Sequence, residues 1–316
     1  MISIVIPAYN VESTIGACLD ALIAQATPDT EIIVVDDGST DTTRAVAEAK
    51  GVRVITQANR GAAAARNTGV QHARGDLVLF LDADSVPDAH WLAKLSAPFA
   101  EAQIAGASGE KKTRQKNLWA RYIQAEYDYR YDRLAAHRTI DFIDSSTAAY
   151  RRDIFLANGG FDPTLLDAED VEFSFRLAER GYAMILVRDA IVWHTHPASL
   201  SEFLRRKYRY ALWRAWVYAR FPHKVVADTR TPPSQKFQVA LAFLLIPFTL
   251  ASVVWNSFWF VLFGMLVLFG VTTLSFVAYC WRISKALALV APLILFLAAY
   301  AGGAGILVGT LQARMR

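Results

Sequence analysis

The chain has 316 residues, 54% of them hydrophobic, and a formal net charge of +4. That length suits one large domain and a smaller one. The charge excess does not call for a nucleic-acid partner, since much of it sits beside a hydrophobic carboxyl-terminal stretch where anionic lipid headgroups account for it; Cys18 and Cys280 lie far apart, which excludes a cysteine-ligated metal site and argues against a disulfide.

In chain order, "MISIVIPAYN" lacks a basic leader and a cleavage site and reads as a first strand. A helix around Glu12 to Ala24 follows, then the strand "EIIVVDD", a helix around Thr40 to Lys50, the strand "VRVIT", a helix around Gly61 to Ala73, and the strand run "LVLFLDAD". Nearly all-apolar strands alternating with helices predict an α/β fold: a Rossmann-like, mainly parallel sheet covered by helices on both faces. Such sheets bind ligands beyond the carboxyl ends of their strands. "PAYN", "DDGSTD" and "DAD" therefore fall along one rim.

Asp36 and Asp37 end the second strand, either as a capped turn or as acceptors for a nucleobase or ribose. Arg66 and Asn67 lie inside the third helix, where Arg66 is solvated or offsets phosphate charge. Leu77 to Leu81 deliver Asp82 and Asp84 off a strand end. Two like charges repel there unless a cation compensates, and Mg²⁺ or Mn²⁺ shared with a diphosphate would do so.

The middle is less regular. "WARYIQAEYDYRYDRL", Trp119 to Leu134, reads as a helix that packs ordinarily, covers an acceptor site or lies on a membrane surface. A strand, "IDSSTAAYR", and a turn, "NGGFDP", precede a helix whose buried side is Val171, Phe173, Phe175, Leu177 and Ala178, with Glu169 and Asp170 at its start. His194 and His196 follow another apolar run and would face one side if that strand continued, as a metal ligand or phosphate donor or as packed histidines.

Between Phe237 and Leu311 the only charged side chains are Arg282 and Lys285. Three spans are predicted, Phe237 to Trp255, Trp259 to Trp281 and Ala286 to Leu311, with Trp255, Trp259 and Trp281 near interfaces. The basic run from Arg205 to Lys236 places the preceding domain on the cytoplasmic side. A third full crossing would leave Arg314 and Arg316 outside, so "AGGAG" around Gly302 marks either close helix packing or a segment that does not fully cross.

The ordered pieces "SIVIPAYN", "EIIVVDDGSTDTT", "RGAAAARNTG", "GDLVLFLDAD", "NGGFD" and "AEDVEFSFRL" resemble the family-2 glycosyltransferases, inverting enzymes with the GT-A, nucleotide-diphospho-sugar transferase fold. The resemblance covers Ile2 to His196. It implies a nucleotide-diphosphate sugar donor contacted by Pro7, Tyr9, Asn10, Asp36, Asp37, Arg66, Asp82 and Ala83, and a divalent cation, Mn²⁺ or Mg²⁺, held by Asp84 with His194. Asp170 is implied as catalytic base, with Glu169 beside it. Arg205, Arg206 and Arg209 are expected to touch phosphate or acceptor; "FLRRKYRY" stands where processive synthases carry a Gln-x-x-Arg-Trp signature, which this chain lacks.

The expected layout is a catalytic domain over 1–198, a basic amphipathic juxtamembrane segment over 199–236 and two to three transmembrane helices over 237–316. The expected protein sits in a cytoplasmic membrane of bacterial or archaeal type and transfers a sugar to a hydroxyl or phosphate of a lipid-linked or saccharide acceptor among the membrane lipids. A catalytically inactive nucleotide-sugar-binding partner and a processive polysaccharide synthase are the alternatives.

Overall fold

Strands and helices alternate through the first hundred residues as the apolar runs predict, and the regularity then breaks. The computed structural model describes every residue except Ala227, Asn256, Ser257 and Arg316. Among the described residues the strands are β1 (Ile2–Ala8), β2 (Thr30–Asp36), β3 (Arg53–Thr56), β4 (Leu77–Leu81), β5 (Val86–Pro87), β6 (Ile104–Lys112), β7 (Thr147–Arg151) and β8 (Ala183–Trp193). The α-helices are α1 (Ile15–Ile23), α2 (Thr43–Ala49), α3 (Ala62–His72), α4 (Trp91–Ser96), α5 (Leu118–Leu134) and α6 (Arg152–Ala157). They continue with α7 (Glu169–Glu179), α8 (Leu200–Arg220), α9 (Pro233–Val254), α10 (Phe258–Ile283) and α11 (Lys285–Met315). The chain divides into two compact units, one of 1–114 with 133–195 and one of 115–132 with 196–316.

The first unit is built on one sheet in the order β3-β2-β1-β4-β7-β6-β8-β5. Its β3-β2-β1-β4 half is parallel, as predicted. The other half is mixed: β7 runs antiparallel to β4 and β6, and β5 antiparallel to β8, while β6 and β8 are parallel. The expectation of a mainly parallel sheet thus holds for one half. Strand β6, "IAGASGEKK", escapes an apolar-run reading because its buried Glu110 and Lys111 are polar. They are accommodated by ion pairs, Glu110 with Arg188 at 2.8 Å and Lys111 with Asp144 at 3.1 Å.

Strands buried on both faces explain the near-continuous apolar runs. One cluster joins Ile4, Ile6, Val34, Leu79, Leu81 and Trp91 to Leu19 and Leu22 of α1. A second set of contacts is aromatic: Phe80 of β4 lies 5.4 Å from Phe161, and Phe155 of α6 lies 4.9 Å from Phe173 of α7. Asn67 fixes this region, since its amide donates to the Phe161 carbonyl at 2.7 Å and accepts from the Phe161 N–H at 3.0 Å. The "RNTG" and "NGGFD" pieces are therefore two halves of one clamp.

The second unit consists of α5 and α8 to α11. Helices α9, α10 and α11, of 22, 26 and 31 residues, are the three among the described residues long and apolar enough to cross a membrane. Helices α10 and α11 extend past the predicted spans at both ends, while α9 starts four residues earlier than predicted and ends one residue short. Large apolar side chains on them stay exposed, among them Leu250, Val253, Phe260 and Leu289, which suits contact with lipid. Gln238 of α9 donates to the Thr272 carbonyl of α10 at 3.2 Å.

Basic helix α8 packs directly on α11. A Cβ on Gly305 would stand 2.2 Å from the Tyr208 carbonyl oxygen, and one on Gly309 2.2 Å from that of Leu212. Only glycine permits so close a backbone approach. Gly305 and Gly309 thus serve close helix packing. At the start of α11, Leu287, Ala291 and Ile294 pack with Tyr122 of α5, Phe203 of α8 and Phe276 of α10.

Candidate active site

The rim at the carboxyl ends of β1, β2 and β4 carries most of the predicted donor residues. Beyond β1, Tyr9 and Asn10 are exposed. Asn10 takes a positive φ of 51°, a conformation its side chain tolerates better than most. Its backbone N–H donates to Ser39 Oγ at 3.0 Å, and its Oδ1 accepts from the Thr40 N–H at 2.8 Å, so the first two rim loops brace one another.

Asp36 and Asp37 are both buried. Asp36 accepts from the Ser39 N–H at 3.1 Å. Asp37 accepts from Gln57 Nε2 at 2.6 Å, the Arg60 N–H at 3.0 Å and the Gly61 N–H at 2.8 Å. Its carboxylate thereby holds the loop that enters α3, a structural task the dipeptide did not reveal.

Arg66 is neither solvated nor at the surface. It is 4% exposed, with one guanidinium nitrogen donating to Asp82 Oδ1 at 2.7 Å and another to Glu169 Oε1 at 2.8 Å. Two charge-assisted bonds in opposite directions tie the loop after β4 to the start of α7. The loop bearing Asp84 and the helix start bearing Asp170 are thereby brought to the same rim.

The two acidic pairs separate by exposure. Behind Arg66, Glu169 is buried and also accepts from Ser145 Oγ at 3.2 Å. Burial, aided by the negative charge of Asp170, pushes its carboxyl up to about 7 even though Arg66 pulls it down. Asp170 is only partly buried and accepts from the Val171 N–H at 2.8 Å and the Ser145 N–H at 3.4 Å. It stands in the first turn of α7, where helix N–H groups favour a carboxylate. Ala168, just before, sits in the left-handed region at φ 75°, strain of the kind stored at functional sites.

In the loop after β4, Ala83 is buried while the Asp84 side chain is 47% exposed. His194, just past β8, brings Nδ1 to 3.5 Å from Asp84 Oδ1, and Ser85 Oγ lies 3.4 Å from each of these atoms. Burial acts to raise the Asp84 carboxyl, but the hydrogen bond and charge of His194, with Lys111 behind, outweigh it and hold it below its ordinary value. Among the described residues no three ligating side chains converge. One carboxylate and one imidazole make an open donor set, which fits a hard cation completed by diphosphate oxygens and water rather than a closed protein cage.

Lys111 was missed in the sequence. In "GEKKTRQK" it reads as one of many solvated cations, yet it is buried against Asp144 beneath the rim. His196, in contrast, leaves the site. Strand β8 ends at Trp193, so the two histidines do not share a strand face. His196 belongs to the second unit, stacked on Tyr127 at 5.2 Å with Nε2 3.0 Å from Gln124 Oε1. Arg205, Arg206 and Arg209 also lie in the second unit, on α8, where Arg205 and Arg209 are exposed and Arg206 is half-buried.

Comparison with known proteins agrees with this geometry. Residues 3–158 match the model of glycosyl transferase family 2. EpsJ, an uncharacterized glycosyltransferase of Bacillus subtilis, is 33% identical over 219 residues, covering 64% of this chain and 63% of its own length. Among solved structures, the mannosyltransferase PcManGT of Pyrobaculum calidifontis, in complex with GDP-Man and Mn²⁺, superposes with a TM-score of 0.63 at 21% identity, covering 96% of this chain and 86% of its own. Glucosyl-3-phosphoglycerate synthase of Mycobacterium tuberculosis, with Mn²⁺, UDP-Glc and phosphoglyceric acid, gives 0.51 at 22% identity over 70% of this chain and 79% of its own. The first unit has the GT-A fold, and residues 3–158 carry a glycosyl transferase family 2 domain.

Proposed function

We propose that this glycosyltransferase moves a sugar, with inversion, from a nucleotide-diphosphate donor to a hydroxyl or phosphate of a lipid-linked acceptor at the cytoplasmic membrane face, in glycan, glycolipid or exopolysaccharide assembly. The supporting observation is the Arg66 bridge between Asp82 and Glu169, which gathers both acidic pairs at one sheet rim. On this reading 1–198 is catalytic, 199–236 lies along the membrane and 237–316 anchors it. Solved proteins of the same fold carry GDP-Man or UDP-Glc with Mn²⁺.

The donor's base and ribose would rest on the loops of Pro7, Tyr9, Asn10, Asp36 and Asp37, with its diphosphate toward Asp82 and Ala83. Asp84 and His194 would hold the divalent cation, which when bound neutralises charge on the departing diphosphate. Asp170, the more open member of its pair, would accept the proton of the acceptor hydroxyl as the oxygen attacks the anomeric carbon. A new carbon–oxygen bond forms while the bond to the nucleotide phosphate breaks from the opposite face. Such a base contributes about 10²- to 10⁴-fold. Glu169, locked by Arg66 and Ser145, would position α7 rather than move protons.

Anchoring would raise the effective concentration of a membrane-bound acceptor. The test is a panel of UDP-, GDP- and dTDP-sugars with Mn²⁺ or Mg²⁺, read by nucleotide release in the presence of a membrane lipid extract. Metal-stimulated release from one donor class supports the reading. Failure of every donor to bind overturns it in favour of another role for the fold.

A further inference from the structure

Helices α9, α10 and α11 are alike in length and apolarity, yet they differ in what surrounds them. The far half of the α9–α10 hairpin is exposed on several faces, through Leu244, Ile246 and Val254 of α9 and Val261, Phe263 and Leu266 of α10. A helix apolar all round suits a membrane interior. Helix α11 instead exposes one stripe: Leu289, Leu293, Leu307 and Leu311 are each more than half exposed. Leu289 and Leu307 stand about five whole turns apart, as do Leu293 and Leu311, so the four share a face. The opposite side is buried, with Leu287, Ala291, Ile294, Gly305 and Gly309 among its residues.

What covers that buried side bears on whether α11 crosses a bilayer. Gly305 faces the Tyr208 carbonyl of α8, and Gly309 that of Leu212. Four residues forward on one helix is four residues forward on the other, so α8 runs parallel to the second half of α11. Gly305 and Gly309 lie about 30 and 36 Å along α11 from Lys285, as far as the hydrocarbon core is thick or farther. Were α11 to cross, Leu200, about 12 Å before Tyr208 on α8, would stand near the middle of that core. The extended backbone at Ser199 and the exposed Glu202 and Arg205 would then sit in hydrocarbon. Irregular backbone exposed to lipid does not occur at that depth, and exposed charges there are costly.

Charge supplies a second, independent observation. Arg282 and Lys285 before and at the start of α11, and Arg314 near its end, are all exposed. A crossing would place them on opposite sides of the membrane, whereas a helix lying in the membrane plane keeps them together, as the bias of basic residues to one side favours. Such a helix would set basic ends among anionic headgroups and an apolar stripe against acyl chains. Lipid is also what adjoins it, since Ala299 of α11 packs on Phe269 of α10, a helix whose own outer surface is apolar and exposed.

We propose that α11 does not cross the membrane but lies along its surface, with the leucine stripe in the lipid and α8 on its aqueous side. Both ends of α11 then stay on the face from which the α9–α10 hairpin enters. This placement is independent of the transfer chemistry proposed above.

The test introduces one cysteine at a time into the full chain, Ser284→Cys in the turn before α11 and Gln312→Cys at an exposed position near its end. Each variant is treated with a membrane-impermeant maleimide in sealed inside-out and right-side-out vesicles. Cys18 and Cys280 are buried, and the wild-type chain measures their background. Both introduced cysteines are expected to label from the same side; labelling from opposite sides overturns the proposal. Leu289→Cys and Leu307→Cys, carrying nitroxides in vesicles of phosphatidylcholine and phosphatidylglycerol, give a second reading if either end variant fails to insert. Electron paramagnetic resonance should place both nitroxides in one leaflet, about 5–10 Å into the boundary between headgroups and acyl chains. A crossing helix would set them about 27 Å apart along its axis, one in each leaflet, and that result overturns the proposal. So do two nitroxides exposed to water and clear of lipid, which would leave the stripe to a protein partner.

Discussion

Replacing Arg66 by Met removes the buried cation that joins Asp82 to Glu169 while keeping much of the side-chain volume. Glu169 can respond by taking up a proton. In the wild type its carboxyl already stands near 7 against an ordinary 4.5, so protonation caps its share of the added cost at about 1.4 kcal/mol at pH 8 and near zero at pH 6. The sign follows from a raised carboxyl: its stability contribution is present below the unfolded value and lost as pH rises through the folded one. Asp82, whose side chain is 29% exposed, loses a charge-assisted bond worth about 1.5 kcal/mol, the low end of the range because water screens it. Arg66→Met should therefore lose about 3 kcal/mol at pH 8 and about half that at pH 6. Adding Glu169→Gln should recover the pH-dependent part. Denaturant unfolding of the full chain in detergent, followed by near-UV circular dichroism at both pH values, reads this directly. A penalty identical at pH 6 and pH 8, or none within about 0.5 kcal/mol, would refute the assignment of Arg66 as a buried two-carboxylate clamp.

Asn67→Ala should cost about 1–3 kcal/mol of stability by leaving the Phe161 N–H and carbonyl unpaired; an unchanged unfolding midpoint would contradict the clamp. Gly309→Val would drive a Cβ to 2.2 Å from the Leu212 carbonyl, with an overpacking cost of about 1–3 kcal/mol. Thermal melting should fall with nucleotide affinity unchanged, and a wild-type melt would show that α8 and α11 can separate there without loss. Asp84→Asn should weaken Mn²⁺ binding in the presence of nucleoside diphosphate by about 10- to 100-fold, measured by electron paramagnetic resonance; equal affinity would place the cation elsewhere.

The half of the sheet from β3 to β4 was legible because each strand there is a short apolar run delivered into a turn. The mixed half was not. Strand β6 carries Gly106, Glu110 and Lys111 inside the sheet, and strand polarity between β4, β7 and β6 is set by long connections that local patterns do not describe. Positions along the rim were readable, but partners were not. Nothing in "RGAAAARNTG" distinguishes a solvated arginine from one locked between Asp82 and Glu169, or identifies Asn67 as the holder of Phe161. Likewise the two-residue spacing of His194 and His196, which would share a face on a continued strand, concealed that the strand stops at Trp193 and that the second ring lies against Tyr127. Pairings over such sequence separations are products of the tertiary fold.

The most direct measurement is the turnover of Asp170→Asn beside its affinity for the nucleotide donor, both in the full chain with Mn²⁺. Loss of about 10²- to 10⁴-fold in kcat with donor affinity kept within a few-fold is the predicted result. Transfer at the wild-type rate would show that the proton of the acceptor leaves by another route.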